Sequence, residues 1–353
     1  MLDVLSTRVT NYRTQHDDGA LAVWGLGAVS LLAAFVLFMN SSRWTVVPVV
    51  GFIALVAVGW FAYQPETAMG LTFLATIATV TVLGLIIAFT VKEALPAMRA
   101  MGLDLLLRTE KPLWGGDTYS LTPMMFGTVL TTLIATVVAA PLGIAGALFL
   151  SEIASDTVRE VVKPGVELLA GIPSITYGFV GFVIINDFFY AKLRTPTIGN
   201  YFTVGAVIGV MALPTIVTVA EDALSTVPES MKSGSLAVGS TDWQTMKSVT
   251  IPAAFSGVSA AVLLGVGRAI GETMAATVMI PHTKAFPDPL YDVFGGVGET
   301  LTTVVAFEAG NASGTHYSAL FAAGVVLFTT VFALSVVSQY VEARMERKFG
   351  GSR

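Results

Sequence analysis

The stretch Pro228-Glu229-Ser230-Met231-Lys232-Ser233-Gly234-Ser235-Leu236-Ala237-Val238-Gly239-Ser240-Thr241-Asp242-Trp243-Gln244 lies inside a polar segment, Glu221 to Ile251, set between two long apolar runs. Pro228 and Glu229 suit the first turn of a helix, through the fixed proline φ and the helix dipole. Gly239 can take the left-handed conformation that ends that helix. Thr241 with Gln244 forms a capping box that starts a second helix, running to Ile251. After Pro252 an apolar run carries Gly267-Arg268-Ala269-Ile270-Gly271-Glu272. A helical hairpin at a membrane surface that feeds a charged span implies a transporter driven from one side.

The rest of the chain supports a membrane setting. Of 353 residues, 54% are hydrophobic and only 12% charged, where soluble domains carry about a quarter charged residues. Window reading gives eight spans: Ala20–Met39, Thr45–Tyr63, Met69–Val91, Leu121–Leu150, Gly165–Ile185, Thr203–Ala220, Ala254–Ile280 and Tyr317–Tyr340. An even number puts both termini on one side. The C-terminal cluster Arg344, Arg347, Lys348 and Arg353 places that side in the cytoplasm. Met1 to Asp18 is polar and the first span is long, so no cleavable signal peptide is expected.

Several functions are excluded by composition. The chain has no cysteine, which removes disulfides and thiolate metal sites. His16, His282 and His316 stand far apart in polar segments, so no metal site, catalytic centre or chain-borne cofactor is expected. The net charge of −5 argues against a nucleic-acid partner. Phe294-Gly295-Gly296-Val297-Gly298-Glu299-Thr300 has the glycines of a phosphate loop but Glu299 where lysine is needed. The chain is not expected to hydrolyse ATP.

The first two spans carry no charge and read as lipid-facing helices. From Met69 onward, prolines (Pro141, Pro173, Pro214) and paired glycines enter the spans, as expected for kinked, closely packed helices. Ser151–Pro164 is amphipathic and should lie along the interface. Arg268 and Glu272 are four residues apart and are expected on one helix face. An arginine at a helix centre costs about 2.5–3.5 kcal/mol and must face protein or water. An ion-coupled carrier remains an alternative, although Glu272 is its only support; an intramembrane hydrolase lacks a histidine within any span to act as base.

With these residues in view, the chain resembles a known family. Gly239, followed thirteen residues later by Pro252, has the spacing of the cytoplasmic loop of ABC-importer permeases. Phe149-Leu150-Ser151-Glu152, Glu167-Leu168-Leu169-Ala170-Gly171-Ile172-Pro173-Ser174-Ile175-Thr176-Tyr177-Gly178 and Gly267-Arg268-Ala269-Ile270-Gly271-Glu272-Thr273-Met274-Ala275 resemble PstC-type permeases of the phosphate importer. Met101-Gly102-Leu103-Asp104-Leu105-Leu106 to Trp114, with Phe149 and Met274, favours that half over its PstA-type companion.

The resemblance covers Met69 to the C-terminus and implies an all-α polytopic membrane helix bundle, a type I importer core of six spans with two extra N-terminal spans. The expected divisions are 1–68 (tail and accessory two-span hairpin), 69–341 (permease domain with coupling loop 221–251) and 342–353 (basic tail). The coupling surface comprises Ser233, Gly234, Ser235, Leu236, Ala237, Val238, Gly239, Trp243 and Pro252. Ser233-Gly234-Ser235 stands where the family carries an acidic residue and two alanines, so a salt bridge from that position is not expected.

Arg268 and Glu272 correspond to the family's transport path. A guanidinium fork matches phosphate oxygens, and Glu272 limits its field so that the ion passes. The implied partners are a second, PstA-like permease, a PstB-like cytoplasmic ATPase dimer, a PstS-like extracytoplasmic phosphate-binding protein and membrane lipid. Another oxyanion, molybdate or sulfate, is the alternative cargo.

Overall fold

The computed structural model describes residues 18–295 and 298–349. The N-terminal tail with His16, Gly296 and Val297 of the glycine-rich stretch, and Arg353 lie outside the described residues. The chain divides into two units, Met1–Ala88 and Phe89–Arg353. The first holds α1 (Asp18–Met39), α2 (Val46–Ala62) and the opening of α3 (Gln64–Met101). Within it Ser30 Oγ donates to the Pro48 carbonyl at 2.6 Å, joining α1 to the start of α2. Helix α3 has 38 residues and outruns the expected span Met69–Val91. The helix-forming sequence Lys92-Glu93-Ala94-Leu95 continues it where an outer loop was expected.

The second unit is built on α4 (Thr122–Leu148) and α7 (Tyr201–Ser225). Gly205 and Gly209 of α7 lie against the carbonyls of Thr131 and Ala135 on α4, the close approach that small residues permit. Around this pair the core gathers Ala135, Val204, Ile208, Met211, Ala275 and Met279. Pro141 and Pro214 sit inside α4 and α7, where each removes one backbone donor from the ladder. A π-turn, Phe149–Ile153, extends α4 toward the amphipathic helix α5 (Asp156–Ala170).

Two expected spans are not continuous. Gly165–Ile185 divides at Gly171-Ile172-Pro173, between α5 and α6 (Ser174–Leu193). Pro173 caps α6 with an extended ψ of 136° and does not kink a span from within, because the residue's ring and missing N–H suit a helix start. Ala254–Ile280 divides into α10 (Phe255–Gly271) and α11 (Met274–Met279). Between α7 and α10 stand α8 (Glu229–Ala237) and α9 (Asp242–Ala253), and α9 meets α10 at a bend of 74°. The polar segment begins later than expected, since α7 continues through Glu221 to Ser225. After α11 come α12 (Leu301–Glu308) and α13 (Gly314–Phe349). Among the described residues seven helices are long and apolar enough to cross a membrane, eight if α9 and α10 count as one bent span.

Gly178 fixes the position of α11. A Cβ there would stand 2.6 Å from the Ala275 Cα and 2.8 Å from its carbonyl oxygen, contacts that only backbone movement can relieve. Gly178→Val is expected to lower stability by about 1–3 kcal/mol, the usual range for overpacking. Thermal unfolding of the detergent-purified protein checks it; an unchanged midpoint would show that α6 and α11 separate freely.

Candidate functional site

The hairpin α8–α9 forms as its residues require. Gly239 has φ +90°, and its N–H donates to the Leu236 carbonyl at 2.9 Å. The Gln244 N–H donates to Thr241 Oγ1 (3.3 Å) and the Thr241 N–H to Gln244 Oε1 (2.9 Å), completing the capping box. Ser235 and Thr245 hydroxyls meet at 3.0 Å and hold the two helices together. Leu236, Ala237, Val238 and Trp243 are exposed, Val238 at 83% and Trp243 at 64%. Ser233 and Gly234 are exposed beside them, whereas Ser235 and Pro252 are half-buried. Such a cluster of exposed apolar groups on a polar hairpin is the kind of patch that protein contact surfaces carry.

One ion pair ties this hairpin to the end of α4 and others tie α5 to α7, and the sequence reading missed them. Lys232 Nζ lies 2.8 Å from Glu152 Oε1. Glu221, only 4% exposed, receives Lys163 Nζ at 2.5 Å and lies 4.0 Å from Arg159 Nε. Arg159 also donates to the carbonyls of Leu150 and Ser151, which closes the turn between α4 and α5. The signal was present as opposite charges at the apolar borders of Ser151–Pro164 and α7, but nothing in the spacing pairs them.

The hydrogen bond with Glu221 raises Lys163 above its ordinary value of 10.5. Its stabilising contribution is therefore complete below pH 10.5 and is lost as pH rises through the folded-state value. Lys163→Met is expected to unfold at a lower temperature than the parent at neutral pH, with the difference shrinking in strong alkali. A constant difference across that range would show that the loss is one of packing.

Arg268 and Glu272 do not share a face. Helix α10 ends at Gly271, and Glu272 is extended (φ −67°, ψ 124°). Glu272 Oε1 instead accepts the Ala275 N–H at 3.0 Å, capping α11, while its carbonyl accepts from Thr302 Oγ1 at 2.8 Å. No ion pair joins it to Arg268. The Arg268 guanidinium makes one long hydrogen bond, from Nη1 to Thr215 Oγ1 at 3.5 Å, and its Nε is buried without a partner. It lines a cleft of about 680 Å³ between α10 and α13. A half-buried guanidinium with no carboxylate beside it keeps an attraction for anions.

A second cluster lies beyond α11. Glu299, 1% exposed, accepts His282 Nδ1 at 2.7 Å and faces Lys284 Nζ at 3.4 Å. Lys284 also pairs with Glu308, which lies 3.4 Å from His316 Nε2. His282 Nε2 is 3.0 Å from the Thr277 carbonyl on α11, and its ring stacks on Phe307 at 3.8 Å. His316 stacks on Tyr119 at 5.1 Å, beside the small hairpin of β1 (Trp114–Gly115) and β2 (Thr118–Tyr119). His282 and His316, remote in sequence, are thus joined through two carboxylates and one lysine. Because Thr302 at the start of α12 holds Glu272, this cluster anchors the same residues that shape the end of α10.

Residues 139–347 match the family model of binding-protein-dependent transport system inner membrane components. A probable ABC transporter permease protein, YqgH of Bacillus subtilis, is 37% identical over 229 residues, covering 64% of this chain and 72% of that protein. The phosphate transport system permease protein PstC of Xylella fastidiosa is 33% identical over 273 residues, 72% of this chain and 83% of that one. Among solved structures, a bacterial ABC transporter involved in import of the acidic polysaccharide alginate aligns with a TM-score of 0.51 at 14% identity, over 77% of this chain and 96% of that chain.

Proposed function

The chain belongs to the family of binding-protein-dependent transport system inner membrane components, and on that premise we propose that it is the permease subunit of an ATP-driven phosphate importer. The observation that carries the cargo assignment is Arg268. It is a guanidinium in an apolar helix, with no carboxylate partner, open to a cleft. Phosphate supplies the missing negative charge, and the likeness to phosphate permeases supports the same anion.

The exposed face of Leu236, Ala237, Val238 and Trp243 is the seat for a cytoplasmic PstB-like ATPase dimer. Nucleotide and its hydrolysis belong to that partner, and this chain carries no cofactor. Closure of the ATPase would move α8 and α9 and, through the bend, α10 with Arg268. A PstA-like permease completes the transmembrane pair, and a PstS-like binding protein delivers phosphate to the opposite face. The termini then lie in the cytoplasm. Glu272 shapes the α10–α11 break that follows Arg268 by capping α11, and it is not the direct partner of Arg268.

The test is uptake of labelled phosphate into proteoliposomes containing the assembled transporter, with and without enclosed ATP. Uptake that requires ATP and is not displaced by sulfate or molybdate is expected. Uptake that collapses with an ion gradient yet survives without ATP would establish a secondary carrier instead, and equal competition by molybdate or sulfate would change the cargo.

A further inference from the structure

We infer that Lys232 and Glu152 are positioning residues for transport, a strut through which the α8–α9 hairpin drives the end of α4; the step rests on the hairpin being the seat of an ATPase. The chain attaches the hairpin to the bundle at two places. One is the turn between Ser225, where α7 ends, and Glu229, where α8 begins. The other is the 74° bend between α9 and α10. Turns of this kind are where hinge motion is absorbed. With those two attachments alone, the hairpin could tilt and leave the bundle where it stands. A side-chain hold on a third helix removes that freedom.

Lys232 supplies the hold. Its Nζ lies 2.8 Å from Glu152 Oε1, and the two side chains are only 15% and 11% exposed. Such a charge-assisted bond is about twice as strong as a neutral one. Of the nine residues of α8, only Lys232 and Ser235 are not exposed. Ser235 turns to Thr245 on α9, and Lys232 turns to Glu152. Among the described residues, this is the one side-chain hydrogen bond or ion pair that leaves α8 or α9 for another part of the bundle. Since α8 buries no apolar side chain, its grip on α4 is polar, and its apolar residues are left for a partner.

The foot of the strut is braced. Glu152 stands in the π-turn at the end of α4 and also accepts Ser151 Oγ at 2.8 Å. Arg159 holds the Leu150 and Ser151 carbonyls of the same turn. One turn back, Ala147 of α4 packs with Ala220 and Leu224 of α7 and with Val258 and Ala261 of α10. A close-packed core transmits strain, so a push at Glu152 reaches all three helix ends together. Farther along α7 and α10 stand Thr215 and Arg268, which line the cleft.

The experiment uses the complete transporter in proteoliposomes and reads phosphate moved per ATP hydrolysed, with the ATPase quantified against this chain. The main variant joins Lys232→Met to Glu152→Gln, so that no buried charge is stranded. It is expected to keep its ATPase and to hydrolyse ATP, while phosphate moved per ATP falls about tenfold, within the usual range for coupling between two sites. Lys232→Arg, which keeps the charge and the reach, should retain most of the parent ratio.

An unchanged ratio in the double variant overturns the strut, and so does a lower unfolding temperature with that ratio intact, which would make the pair structural only. Loss of the ATPase from the double variant also overturns it, by placing Lys232 in the docking surface. If the parent hairpin binds no ATPase, as Gly239→Pro with its ATPase retained would show, the reading beneath the proposal fails, and the proposal with it.

Discussion

Arg268→Gln is expected to reduce phosphate uptake by about 100-fold, the effect of losing a charge-assisted contact worth up to about 3 kcal/mol, while the assembled complex still hydrolyses ATP. Glutamine ends where Arg268 Nε now stands, so it gives up the long contact from Nη1 to Thr215 at 3.5 Å but keeps a neutral amide on the same stem. What disappears is the positive charge. Because no carboxylate pairs with Arg268, the substitution strands no buried counter-charge and should not unfold α10. That distinguishes it from breaking a buried salt bridge, where the abandoned partner dominates the loss. Near-normal uptake by a complex of normal composition would remove Arg268 from the path and leave it a packing residue beside α7.

Gly239→Pro is expected to release the ATPase from the membrane subunits and abolish transport. Two defects combine in this one substitution. The proline ring holds φ near −65°, whereas the backbone stands at +90°. The N–H that donates to Leu236 is also lost. The α8–α9 turn must then reopen, separating the exposed Leu236 and Val238 from Trp243. Gly239→Ala keeps the N–H and pays only the left-handed strain, about 1–2 kcal/mol, so it should retain part of the association. Co-purification from detergent, with the ATPase quantified against this chain, measures both. Retained ATPase in the proline variant would mean that the motor grips another surface.

The expectations that succeeded rest on local chemistry. The capping box at Thr241 and Gln244, the turn at Gly239 and the exposed apolar residues between them follow from a few neighbouring side chains, and α4 and α7 from long apolar runs. The break at Glu272 is different. Gly271 hints at it, yet a capped Ala275 and a hydroxyl from Thr302, thirty residues onward, are what hold the chain extended there. Helical spacing placed Arg268 and Glu272 together; tertiary contacts separate them. The π-turns Phe149–Ile153 and Met246–Thr250 likewise shift the register in ways no periodicity announces. The cluster of His282, Lys284, Glu299, Glu308 and His316 was hidden for a further reason. Its members come from loops and helix ends, where sequence offers charge but no partner.

The placement of His282 also ties three separate stretches of chain to one ring. Its Nε2 lies 3.0 Å from the Thr277 carbonyl on α11, its Nδ1 2.7 Å from Glu299, and its face stacks at 3.8 Å on Phe307 of α12. A single imidazole thus fastens two short helices and the segment between them, so whatever dislodges it must disturb all three at once.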